Sequence, residues 1–148
     1  MTDLILNIGC FMGAFCVMEI IAWATHKYIM HGILWVLHKD HHKRIHHPFE
    51  WNDLFFILFA AAGIYFLYNG YAQMNWMFFT GLGITAYGIA YVFVHDIFVH
   101  GRIKIFRNLK HPYLDALKRA HKKHHSTDTR EHGENFGFLW VSKKYWKK

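Results

Sequence analysis

Residues 76–101 read WMFFTGLGITAYGIAYVFVHDIFVHG, an apolar run that closes on two histidines and a glycine. From Trp76 to Val99 it is apolar except for Thr80, Thr85, His95 and Asp96. A helix that crosses a bilayer needs about 20 such residues, so the stretch predicts a span that delivers imidazoles to one membrane face. Two other stretches share the character. Leu4 to Ala24 is broken only by Asn7, Glu19 and small residues. Asp53 to Tyr68 is apolar after its first residue but short, and needs Trp51 and Tyr68 to Tyr71 as interfacial anchors. The chain has 148 residues, 53% of them hydrophobic, which leaves too little polar sequence to cover three buried helices in water. The expected fold is all-α: an integral membrane protein with about three spanning helices plus cytoplasmic helices, one domain over residues 1–148.

Charge sets the expected topology. All 17 Lys and Arg residues lie in Lys27 to Arg44 and in Arg102 to Lys148, and none lies in the connection Asn69 to Asn75. The positive-inside rule places 27–52 and 100–148 in the cytoplasm. The N-terminus lacks a basic n-region and a small-residue cleavage site, so the first segment is expected to remain as an anchor. A formal charge of +7 suits a face beside anionic lipid. No nucleic-acid-binding motif accompanies it, so no nucleic acid partner is expected. The same charge also suits docking of an acidic electron-transfer protein. Cys10 and Cys16 lie six apart in the first span and read as packing residues rather than a disulfide.

The 14 histidines carry the chemistry. Ten form two copies of one pattern: His26-x4-His31 then His38-x2-His41-His42, and His95-x4-His100 then His121-x2-His124-His125. That is more imidazole than one ion can use, so the pattern points to a two-metal site with five ligands from each half. Within H-x2-HH the spacings of three and four put all three rings on one helical stripe. The second box falls in a helix that starts after Pro112. The x4 pairs are different, because five residues of α-helix turn the second ring roughly 140° from the first. They either straddle a metal pair or flank a helix end, and Gly32 and Gly101 follow each pair where a stop is expected.

A structural zinc site favours thiolates and four ligands, whereas an all-imidazole set suits iron, copper or zinc. Oxygen chemistry on a lipid at a membrane favours iron. A bis-His haem would find room at Gly81, Gly83, Ala86 and Gly88, but these histidines are terminal, clustered and too many. Glu19 is costly inside a span and lies two turns before His26, so it is expected to hydrogen-bond that imidazole. Asp96 is expected to do the same for His95. Asn52-Asp53 reads as a helix cap. His46, His47, His111 and His132 fall outside the boxes, with His132 placed just before an aromatic run, 135–141, that either covers the site or anchors the tail.

These segments are similar to the fatty acid hydroxylase superfamily of membrane di-iron enzymes, and within it to the bacterial β-carotene 3-hydroxylases. The carrying stretches are Met18-Glu19 with His26 to Gly32, His38-x2-His41-His42, Phe49-Glu50-x-Asn52-Asp53-Leu54, and Ala86-Tyr87-Gly88. Val94-His95-Asp96, Val99-His100, Ala120-His121-x2-His124-His125 and Phe136 to Leu139 complete them. Departures are Asn135 in place of an expected serine, His46-His47 in a variable loop, and a short C-terminus. The resemblance implies a ferredoxin-dependent di-iron monooxygenase in the bacterial inner membrane, its metal site on the cytoplasmic side. The ten box histidines would hold two iron ions, which zinc can replace in purified protein. O2 and two electrons from reduced ferredoxin or a similar donor would hydroxylate C3 of a β-ionone ring. That takes β-carotene through β-cryptoxanthin to zeaxanthin, and ketolated canthaxanthin to astaxanthin. Two other readings stay open: the same scaffold acting as a hydroxylase or desaturase on a fatty acyl chain or sterol, and a non-catalytic metal-binding membrane protein.

Overall fold

The computed structural model describes residues 2–43, 49–105, 109–127 and 129–146. Every regular element among them is helical. Helix α1, Thr2–Ala24, passes directly into a π-helical segment, Thr25–Ile33, and a short helix α2 follows at Trp35–His38. Helix α3 covers Asp53–Gly70 and ends in a 3-10 turn, Tyr71–Gln73. Helix α4, Trp76–Tyr91, again runs into a π-helical segment, Val92–Val99. Helix α5 is Pro112–His124, with proline at its first position, where the missing N–H costs nothing.

The three apolar segments form helices long and apolar enough to cross a membrane: Thr2–Ile33, Asp53–Gln73 and Trp76–Val99. The second is the shortest, 21 residues including its flanking 3-10 turn. Their outer faces are apolar and uncovered, with Leu4, Ile5, Ile20, Ile57 and Ile64 all exposed, as lipid-facing surface requires.

Helix α4 is the central one and packs on both α1 and α3. Glycines permit this closeness. A β-carbon on Gly81 would sit 2.6 Å from the Leu67 backbone nitrogen of α3, and one on Gly83 would collide with the Phe11 carbonyl of α1. The room that Gly81 and Gly83 suggested for a porphyrin is thus filled by neighbouring backbone. Met18 and Ala22 of α1, Tyr87 of α4 and Phe138 of the tail form the buried core beneath the histidines. Antiparallel α3 begins where α1 and α4 end, so Asn52, His26, His31, His95 and His100 gather at one end of the bundle.

Both π-helical segments coincide with an x4 histidine pair. Leu34 N–H bonds the Ile29 carbonyl and His100 N–H bonds the His95 carbonyl, both five residues back, at 2.9 Å. This i→i+5 closure brings residues five apart onto one face, which an α-helix would not. The rings of His26 and His31 accordingly lie 5.2 Å apart and those of His95 and His100 lie 4.6 Å apart. The glycine stops occur, but differently. Gly101 takes the left-handed conformation with φ 66°, while Gly32 only kinks a chain that resumes as α2. The first H-x2-HH box corrects the helical expectation. Helix α2 ends at His38, and His41 and His42 stand in the turns beyond it.

Candidate metal centre

Nine of the ten box histidines fall into two compact groups of converging ring nitrogens. One comprises His26, His31, His38, His42 and His124; the other comprises His41, His100, His121 and His125. His95 stands beside the second group, its ring 4.9 Å from His41, 4.6 Å from His100 and 4.8 Å from His121, with a buried Nε2 that has no hydrogen-bond partner. All ten expected ligands are therefore together, but not as two independent halves. The first half gives four rings to the first cluster and lends His41 to the second. The second half gives four to the second cluster and lends His124 to the first. The single stripe expected for the second box serves both clusters. At 100° per residue, His125, just past the end of α5, lies 40° from His121 and 100° from His124.

The first cluster is held by its other nitrogens. Nδ1–H donates to the Phe136 carbonyl from His26 (2.9 Å), to Arg130 from His31 (3.2 Å), to Thr127 from His42 (3.1 Å) and to Glu134 from His124 (3.1 Å). His38 Nδ1–H donates to Asn52 Oδ1 at 2.6 Å. Five occupied Nδ1 protons leave five Nε2 lone pairs facing inward. Those Nε2 atoms approach one another at 3.1–3.2 Å (His26 to His38, His31 to His124, His42 to both His31 and His38). With no proton between them, such contacts repel unless a cation sits among them. Ligands at right angles around an ion ~2.1 Å away would stand ~3.0 Å apart, which fits a metal with more than four ligands.

The second cluster is held by carboxylates. His41 Nδ1–H donates to Glu50 at 2.8 Å and His95 Nδ1–H to Asp96 at 2.7 Å. The Nε2 atoms of His41, His95 and His125 are buried without partners, as ligand atoms awaiting an ion would be. Arg102 ties the two carboxylates together. It lies 2.9 Å from Glu50, 3.0 Å from Asp53 and 3.9 Å from Asp96. Partners of this kind usually change metal affinity 10- to 100-fold. Arg102→Ala is therefore expected to weaken the second site by about that factor and spare the first, read by competition against a chelator.

The site makes two further corrections. Glu19 does not bond His26. Its carboxylate accepts from the Tyr87 hydroxyl at 2.7 Å and from the backbone N–H groups of Phe138, Leu139 and Trp140 at 2.8–3.1 Å. It acts on His26 only through the tail, whose Phe136 carbonyl holds that ring. Asn52 stands at the start of α3 but makes no side-chain cap, because its oxygen is taken by His38. The tail covers the site: Phe136 stands edge-on to His26, His31 and His124, and Phe138 stacks on His26. His111 and His132 are exposed, and His46 and His47 lie outside the described residues. Asn135 takes φ 61°, a conformation that asparagine tolerates better than serine. Sequence reasoning missed the roles of Glu50, Asn52 and Arg102. Their signal was a polar cluster directly after a box and an arginine two residues past His100.

Burial favours the neutral form of six of the rings. It pushes His38 down to about 3, and His100 and His124 down to about 2, with neighbouring imidazoles adding to the effect. His41, His121 and His125 are lowered for the same reason. Above the ordinary value of ~6.5 neither folded nor unfolded chain binds protons here. Below it the unfolded chain takes up protons that the folded one refuses. The metal-free protein is therefore expected to lose stability progressively from pH ~6.5 towards 3 and to show little slope at neutral pH, read by melting of chelated protein in detergent.

Fold and site together define a helical membrane protein with paired, all-imidazole clusters that could each hold a metal ion. The fatty acid hydroxylase family model matches residues 11–143, and the chain belongs to that family. It is 42% identical over 124 residues to a beta-carotene hydroxylase of Pantoea ananas, covering 84% of this chain and 71% of that protein. A beta-carotene hydroxylase of Paracoccus sp. (strain N81106 / MBIC 01143) is 36% identical over 126 residues, covering 84% and 78%. A chloroplastic beta-carotene hydroxylase 2 of Capsicum annuum is 41% identical over 125 residues, 82% of this chain and 39% of that longer one. No solved structure matches.

Proposed function

We propose that residues 1–148 form one membrane-embedded carotenoid ring hydroxylase, converting β-carotene through β-cryptoxanthin to zeaxanthin and accepting ketolated rings. The observation that carries this is the pair of converging Nε2 clusters at the end of apolar helices, in a chain similar over most of its length to beta-carotene hydroxylases. Two iron ions are the proposed metals. His26, His31, His38, His42 and His124 would hold one, and His41, His95, His100, His121 and His125 the other. Iron there would supply O2 activation: one oxygen atom enters the C3–H bond, and the other leaves as water with two electrons and two protons. Reduced ferredoxin or a similar donor is the proposed electron source.

The chain's own residues do the rest. The tail carbonyls, Asn52, Glu50 and Asp96 fix the tautomers of His26, His31, His38, His41, His42, His95 and His124, so that their Nε2 atoms are aimed before any ion arrives. Phe136, Phe138 and Trp35 wall the first cluster from water. The basic flanks support a cytoplasmic site in a bacterial inner membrane. Pigment analysis in a bacterial host that accumulates β-carotene, with and without the gene, tests the reading. Mono- and dihydroxylated products are expected. Unchanged β-carotene with metal-loaded protein in the membrane would sink it in favour of another lipid, and metal analysis of the same sample decides between iron and zinc.

A further inference from the structure

Below the metal centre, among α1, α3 and α4, lies an apolar cavity of about 540 Å3. Its lining runs along α3 from Phe55 to Leu67, a length of ~18 Å at 1.5 Å per residue. One side opens outward between the helices, where the lining residues Ile64 and Ile89 are 65% and 67% exposed. An aromatic pair walls the end towards the histidines. Tyr91 and Phe138 pack on each other with centroids 4.8 Å apart. Tyr91 stacks on His95 of the second cluster at 4.6 Å, and Phe138 on His26 of the first at 5.1 Å. The cavity floor thus comes within one ring's width of both clusters at once.

A glycine shapes the wall. Gly81 and Gly83 are needed for helix contact, but a β-carbon on Gly88 would meet nothing closer than Phe56 Cε2 at 3.9 Å. Helix packing does not require glycine at 88, yet the residue lines the cavity.

We propose that this cavity is the substrate site, that it takes one end of a linear, ring-terminated polyene at a time, and that Gly88 sets its width. The inference rests on the carotenoid reading. Apart from Thr85 the lining side chains are aliphatic or aromatic, and the Tyr87 hydroxyl is committed to Glu19, so an apolar hydrocarbon suits the cavity and a polar headgroup does not. The lateral opening faces the side where lipid would be, so a substrate enters from the bilayer. Because the Tyr91–Phe138 pair stands across that end, a molecule with a ring at each end presents one ring and leaves the other in the membrane. It must withdraw and turn before its second ring reacts, so the monohydroxylated product is released between the two steps.

Two plugs from facing helices test the site: Gly88→Leu on α4 and Ala60→Leu on α3, in the full chain in membranes. Each is expected to lower carotenoid conversion roughly tenfold or more, the scale of overfilling a packed space. Each is also expected to keep two metal ions per chain. A plug that loses its metal has misfolded, and the other then decides. Metal-loaded plugs that convert carotenoid at the parent rate overturn the cavity assignment and leave the hydroxylase reading intact. A parent protein inactive on carotenoid overturns that reading and the proposed occupant with it. For release, excess deuterium-labelled monohydroxylated carotenoid is supplied with unlabelled β-carotene. Label is expected in the dihydroxylated pool, and an unlabelled pool overturns single-ended entry.

Discussion

His124→Ala is expected to leave the protein with one metal ion per chain instead of the proposed two, and with hydroxylation at background. Adding His38→Ala should change the metal content no further, whereas adding His41→Ala should empty the chain. This pattern follows from the exchange of ligands between the halves. His124 and His38 serve the first cluster, and His41 serves the second beside His100, His121 and His125. Removing a ligand must weaken its site by more than the roughly 100-fold that a supporting partner commands. A second loss in the same cluster finds nothing left to lose, while a loss in the other is independent; such cycles separate shared from separate sites. If each half instead bound its own ion, His38 would pair with His41, and His38→Ala with His124→Ala would strip both metals. Metal analysis of the two double variants decides, and an emptied His38/His124 pair would refute the exchange.

The sequence displayed the ten histidines but hid how they are divided between the clusters. Apolar length alone marked Trp76–Val99 as a span, and histidine spacing alone marked all ten rings that gather in the structure. The x4 spacing held a further signal, because five residues is the hydrogen-bond interval of a π-helix. The question posed by His26 and His31, whether they straddle two ions or flank a helix end, arose from assuming α-helical rotation. Partner choice was less legible. Glu19 was placed beside His26 by counting along one helix, but its real partners, Phe138 to Trp140, are more than a hundred residues away and are backbone groups that leave no mark in side-chain pattern. The same holds for the carbonyls of Thr127, Arg130, Glu134 and Phe136, since any residue could supply them. Asn52 resembled a cap because asparagine before a helix usually is one, and only the tertiary fold brings His38 to it.

Glu19→Leu is expected to cost about 100-fold in activity and to expose the segment 129–140 to protease. Three backbone N–H groups and the Tyr87 hydroxyl lose their acceptor in an apolar setting, where hydrogen bonds to a charged group contribute ~1.5–3 kcal/mol each. Not all of that is lost, because the carboxylate is only partly buried and a detached tail regains water. A net loss of about 3 kcal/mol is a reasonable scale, near two powers of ten. The damage reaches the metal through the chain: with Phe138 to Trp140 released, the Phe136 and Glu134 carbonyls drift from His26 and His124, and both rings belong to the first cluster. The second cluster is held by Glu50, Asp96 and Arg102 and keeps its ion. Chelator stripping of Glu19→Leu should therefore become biphasic, with one ion per chain leaving fast. Glu19→Gln keeps an oxygen where all three N–H groups point and should stay within about tenfold of the parent, while Tyr87→Phe removes one donor and costs about 1 kcal/mol. Stripping of Glu19→Leu at the parent's rate, with the tail still protected, would show that the tail holds its four imidazoles without this carboxylate.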